Sequence, residues 1–172
     1  MAASNRDHAQ LQPSKDRTEL KMLLKSLQEI GLRDLDELIG NVAEGLQVDF
    51  KQAAVGKADA ERKEFVADVT AFANASGGDI VFGIAEGPDA VASQVLGIPV
   101  ADLDVEERRL AEIIRNGTDP RLTDFEFKWI DNPPNGHVLI LRVGRSWRAP
   151  HRVTLGRTRP LLHSEHNAAS TQ

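Results

Sequence analysis

The sequence predicts an α+β fold: a mixed β-sheet of about four to six strands with packed helices, preceded by a helical N-terminal extension. Three observations carry this. Leu46, Val48 and Phe50 alternate with Gln47, Asp49 and Lys51, the period-two pattern of a strand with one apolar face. Phe65, Val66, Val69, Phe72 and Ala73 recur at helical spacing within Lys57 to Ser76, and Gly77-Gly78 stops that helix. The run "DIVFGIA" that follows is largely apolar, as a strand in the middle of a sheet is.

Each element can be placed in chain order. Residues 1–16 are polar and aperiodic, and are expected to be disordered. Leu20, Leu23, Leu24, Leu27 and Ile30 predict a helix, with Asp16 and Glu19 as a capping pair and Gly31 as its stop. "RDLDELIG" predicts a shorter helix behind it, so residues 17–43 read as a helical extension. The main domain then runs over 44–157. Asp59 is the expected N-cap of its first helix. Residues 87–100 are expected to be irregular. A charged helix over about Asp104 to Arg115 is broken by "NGTDP". Phe125 to Ile130 is a third strand, "DNPPNG" a turn, His137 to Val143 a fourth strand, and His151 to Leu155 a candidate fifth. Residues 158–172 form an irregular tail. No internal repeat is present.

Composition bounds the class. At 172 residues, 41% hydrophobic and 27% charged, the chain has the balance of a globular domain with a real core. No apolar run approaches the ~20 residues of a membrane span, so no membrane partner is expected. The N-terminus lacks the apolar middle of a secretory signal. The absence of cysteine excludes disulfides and thiolate metal sites. A cytoplasmic location is the expectation.

Charge is unevenly placed. The formal net charge is −5, yet "RVGRSWRAPHRVTLGRTRP", from Arg142 to Pro160, carries six arginines and no acid. Without it the chain has 15 basic against 26 acidic residues, a net −11. A short arginine segment on an acidic body suits phosphate, because the guanidinium fork matches phosphate oxygens. On this reading Arg142, Arg145, Arg148 and Arg152, with His151, take phosphates, and Trp147 stacks on a base. Arg157 and Arg159 join the patch if the chain folds back. The competing reading packs Trp147 on the edge of the core and leaves the arginines as a solubilising surface.

Two further motifs bear on chemistry. In "EGLQVDFKQA", Asp49 and Lys51 lie on the same side of a strand, and Glu44 sits five residues before Asp49. Acids so placed can hold a divalent cation while a lysine orients the attacking water. A bare D-x-K is equally the solvated face of a half-buried strand. In "AFANASGGDIVFGIAEG" there is no G-x-x-x-x-G-K-[ST] and no G-x-G-x-x-G, so no phosphate loop is present. Asn74, in the last turn of its helix, is expected to bond backbone at the helix end. His163 and His166 have a spacing that can ligate metal, within a polar tail.

Taken in order, "QVDFKQA", "FVADVTAFANASGGDIVFGIAEG" and "HVLILRVGRSWRAPHRV" resemble the Schlafen AlbA-type domain family, often described as a DNA-binding domain. The resemblance covers roughly Glu44 to Leu155. It implies a nucleic-acid-binding module, DNA or RNA, in a regulatory or defence context. Schlafen-type endoribonucleases are similar in using three acids, and the resemblance carries these onto Glu44, Asp49 and Glu86, with Lys51 as the lysine. A catalytic member would therefore place Mg²⁺ or Mn²⁺ on Glu44, Asp49 and Glu86, and no other cofactor is implied. This sequence departs from the family pattern by Asp at 49 where Glu is more usual, by Ala85, and by a tail without aromatics. A protein-interaction domain without a nucleic-acid role is the third reading. Eukaryotic relatives resemble two such domains fused, so a homo-oligomer is expected here.

Overall fold

The structure is a computed structural model and describes residues 25–41, 47–132 and 134–156. Eight strands and three α-helices follow one another in the described residues: α1 (Leu32–Leu38), β1 (Val48–Lys51), α2 (Asp59–Asn74), β2 (Gly78–Phe82), β3 (Ile84–Glu86), β4 (Ala92–Val95), α3 (Leu103–Gly117), β5 (Thr118–Asp119), β6 (Phe125–Asp131), β7 (His137–Val143) and β8 (Arg152–Val153). The fold is α+β. Its main sheet has the order β1-β2-β7-β6, with β1 and β2 parallel and the other neighbours antiparallel. Two small antiparallel pairs, β3–β4 and β5–β8, attach to it.

Strand alternation decides what each face buries. Val48, Phe50, Val81, Val138 and Ile140 point to one face, which Leu27, Ile30, Leu35 and Leu38 cover. Ile80, Phe82, Leu139, Leu141 and Val143 point to the other, against Phe65, Val66, Val69 and Phe72 of α2 and Leu110 and Ile114 of α3. The sheet is therefore the middle of three layers. Its inner strand β2 is buried at all five positions; Ile80, Val81 and Phe82 are apolar, and the one acid, Asp79, is buried as well.

Several expectations are corrected in detail. Leu27–Glu29 is a 3₁₀ turn and Ile30 is extended, so the first predicted helix has ended before Gly31. Leu20, Leu23 and Leu24 lie outside the described residues. Ala58, not Asp59, is the N-cap of α2; the cap is made by Glu61, whose carboxylate accepts from the Ala58 amide at 3.1 Å. The run "DIVFGIA" is two strands, because Gly83 has φ +93° and turns the chain out of the main sheet. A Cβ there would lie 3.0 Å from Gly97, so only glycine fits. Residues 87–100 contain a 3₁₀ turn at Pro88–Ala90 and the strand β4, whose sequence "ASQV" lacks an apolar alternation to announce it. Among the described residues no helix is long and apolar enough to cross a membrane.

Candidate functional site

The segment Gly144–His151 leaves the end of β7 and crosses the C-terminal end of α2. It is held at several points. Gly144 donates its amide to Asp124 O at 3.1 Å, and Ser146 donates to Ala73 O at 2.9 Å. Asn74, the last residue of α2, binds His151 at both its backbone groups: Nδ2 donates to the carbonyl at 2.9 Å and Oδ1 accepts from the amide at 2.6 Å. Gly77, at φ +81°, makes this approach possible, because a Cβ there would stand 2.8 Å from Val143 O and 3.0 Å from the Arg145 amide.

His151 is buried, 5% exposed, and works inside the turn. Its Nδ1 lies 2.6 Å from Pro120 O, and a carbonyl can only accept, so Nδ1 carries the hydrogen. In the neutral ring Nε2 is then the acceptor. It takes the Ser146 hydroxyl hydrogen at 2.7 Å, and Ser146 Oγ in turn accepts the Arg148 amide at 3.1 Å. The chain Arg148 N–H, Ser146 O–H, His151 fixes the turn from within. His151 is thus a support of the segment, and the expectation that it contacts phosphate is corrected: no ring nitrogen is left to do so.

Arg142 is corrected for the same kind of reason. It lies opposite Asp79 across the β2–β7 pair. Its Nε donates to Asp79 Oδ1 at 2.8 Å and its Nη2 to Oδ2 at 2.7 Å, while Nη1 donates to Lys25 O at 2.6 Å. Asp79 is 0% exposed. Its hydrogen bond, working against partial burial of the guanidinium, raises the Arg142 pKa further above its ordinary value. A buried carboxylate demands such a partner, so this arginine belongs to the fold. Arg152 pairs with Asp119 at 2.6 Å across β5–β8, both side chains well exposed, and so brings a partly neutralised charge to the surface.

What remains outward is Trp147, 90% exposed, with the Arg148 guanidinium 5.8 Å from its ring centre. Arg145 and Arg148 are exposed on either side. Arg121 is exposed directly after Pro120, the residue that receives His151 Nδ1, so the fold adds a third arginine near this turn. Sequence reading missed Arg121 because it lies 24 residues before Arg145 and joins the patch only through the Pro120–His151 bond. Acids also stand close by: the Asp124 carboxylate sits over Gly144, where a Cβ would come within 2.4 Å of it, and Asp119 pairs with Arg152. Arg157, Arg159, His163 and His166 lie outside the described residues.

At the opposite edge of the sheet, Asp49 and Lys51 project from β1 toward α2. The Lys51 ammonium lies 3.1 Å from Asp49 Oδ2 and 3.1 Å from Asp68 Oδ2, a residue on α2 that the motif does not contain. Burial works against the charge of Lys51, but the hydrogen bonds and charges of Asp68 and Asp49 outweigh it, and its pKa is raised. Glu86 is exposed on β3, beyond the turn at Gly83. Glu44 lies outside the described residues. Among the described residues no group of three His, Cys, Asp or Glu side chains could hold a metal ion. Between Asp49 and Asp68 it is the Lys51 ammonium that supplies positive charge.

No curated protein matches the chain. Among solved structures, it is similar to the N-terminal domain of an ATP-dependent DNA helicase RecG-related protein from Nitrosomonas europaea, at 15% identity and a TM-score of 0.48, over 86% of this chain and 84% of that one. It is also similar to the DIP2311 protein from Corynebacterium diphtheriae, at 19% identity and a TM-score of 0.44, over 72% of this chain but 23% of the other. The family model described as "Schlafen, AlbA_2" matches residues 44–165, well over half of the chain, and the chain belongs to that family.

Proposed function

We propose that the chain is a nucleic-acid-binding module whose contact surface is the turn Gly144–Pro150. The observation that carries this is the exposure of Trp147 on a turn that Asn74, Ala73 and His151 hold in place. A large aromatic ring left in water has lost the burial that normally justifies it. Stacking on a base restores that burial, and every base offers a face to stack on. Arg148 lies against the ring, and the exposed Arg145 and Arg121 suit phosphates of a strand that stacks there.

The turn suits a single strand better than a duplex. Trp147 stands on a short loop that projects beyond the C-terminal end of α2, not on a helix that could lie along a major groove. An unpaired base can rotate onto the ring, whereas a paired one must first be unstacked. The acidic remainder of the chain repels backbone elsewhere, which concentrates attraction at this turn. A homo-oligomer would supply two such turns to one strand and raise avidity. The endoribonuclease alternative needs Glu44, which lies outside the described residues; of its other members, Lys51 stands 3.1 Å from Asp49 and from Asp68.

The test is a titration against single-stranded RNA, transfer RNA and duplex DNA over a range of salt, with and without manganese. The proposal expects binding to single strands with affinity falling as salt rises, and no dependence on manganese. Absence of binding to all three at low salt overturns it.

A further inference from the structure

The outer edge of β6 offers a second surface, independent of nucleic-acid binding. β6 is the last strand of the main sheet, "FEFKWID". The bonds Gly144 N to Asp124 O and Asn132 N to Gly136 O fix which residues of the hairpin are hydrogen-bonded pairs. By alternation, Glu126, Lys128 and Ile130 bond to β7, while Phe125, Phe127, Trp129 and Asp131 turn their N–H and C=O groups outward. Among the described residues none bonds those outward groups. Along the same edge Phe125, Phe127 and Trp129 are half-buried on one face, and Glu126 and Lys128 lie on the other.

An open edge of seven residues is a template for another strand. The side chains select which. We infer that β6 pairs antiparallel with β6 of a second copy, about a two-fold axis at Phe127. Outward groups must meet outward groups, so only every second register is open. With the axis at Phe127, Phe125 faces the second copy's Trp129, Phe127 faces itself, and Glu126 faces Lys128, each contact occurring twice. Shifting the axis to Lys128 sets lysine against lysine, and shifting it to Glu126 sets glutamate against glutamate. Like charges directly opposite are unfavourable and opposite charges favourable, so of these three registers the one centred on Phe127 is favoured, because it alone sets Glu126 against Lys128. The pairing turns two four-stranded sheets into one continuous sheet of eight. A lysine on an edge strand often keeps other strands away. Here a glutamate two residues before it makes the edge complementary to itself.

Charge reversal tests this directly, with mass measured by sedimentation equilibrium and folding by circular dichroism. The parent chain is expected to dimerise. Glu126→Lys places lysine against lysine, Lys128→Glu places glutamate against glutamate, and each alone should weaken self-association by about tenfold or more. An equimolar mixture of the two variants should recover the dimer, because every cross-strand pair between unlike chains is then opposite in sign. Glu126 also adds to the field on Arg142, and Lys128 Nζ lies 3.5 Å from Gln28 O. Harm done through those contacts would not be repaired by mixing two folded chains. A monomeric parent at about 100 μM, dimers unaffected by either reversal, or a mixture no better than its parts would overturn the inference.

Discussion

The Asn74 carboxamide engages both backbone groups of His151, 77 residues away, as a neighbouring strand would. Two hydrogen bonds thereby tie the end of α2 to the far side of the turn that carries Trp147. Asn74→Ala should cost about 1–3 kcal/mol in urea denaturation, because it strands a backbone donor and an acceptor. Asn74→Asp should be at least as harmful, since its carboxylate can accept from the amide but faces the carbonyl without a donor. Equal stability of parent and Asn74→Asp would show that the second bond contributes nothing.

Trp147 and Arg148 are predicted to fail in different ways. Arg148→Ala should lower the slope of log affinity against log salt by about one phosphate contact. Trp147→Ala should leave that slope in place and weaken binding by ~1–3 kcal/mol, the value of one stacked base. Filter-binding or anisotropy measurements at several salt concentrations separate the two. Identical behaviour of both variants and the parent would remove the turn from the interface.

The Asp79–Arg142 pair should behave as part of the fold. Arg142→Met leaves a carboxylate buried without its partner and should cost about 3–5 kcal/mol in chemical denaturation. The double variant Asp79→Leu with Arg142→Met removes both charges and should recover most of that loss. A double variant as unstable as the single one would contradict this account of the pair.

These corrections show which features a sequence carries. Val48 and Phe50 on β1, and the Phe65 to Ala73 stripe of α2, were legible because burial on one face leaves a period in the chain. Strand β4 was not, because half of "ASQV" faces solvent and its pairing with β3 depends on the turn at Gly83. His151 and Arg142 sat within an arginine-rich segment and were expected to face phosphate, whereas tertiary contacts draw both inward. A signal for Arg142 existed: Asp79 opens an otherwise apolar central strand, and a buried acid calls for a cation on a neighbouring one. Asp68 carried no such signal. It is an ordinary polar residue of a helix until folding sets it against Lys51.

Lys51 gives a pH-dependent prediction. Its raised pKa means that its ion pairs with Asp49 and Asp68 contribute stability fully below the unfolded-state value and lose it only as strongly alkaline pH approaches the folded-state value. Around neutrality that contribution is therefore flat. Lys51→Met leaves two carboxylates facing each other, so one must titrate higher. The variant's deficit against the parent should be present at pH 7 and shrink as pH falls toward 5, when a proton replaces the lost ammonium. A deficit independent of pH would mean that Lys51 stabilises by packing alone.

The most direct measurement follows the emission of Trp147 itself. Only Trp129 shares its spectral region, so a Trp129→Phe chain reports on Trp147 alone. Adding a short single-stranded oligonucleotide at low salt should quench that emission saturably, with the midpoint moving to higher concentration as salt rises and no quenching in the further variant Trp147→Phe. If the oligonucleotide binds by anisotropy while the emission of Trp147 stays unchanged, or if it does not bind at all, the turn Gly144–Pro150 is not the nucleic-acid surface.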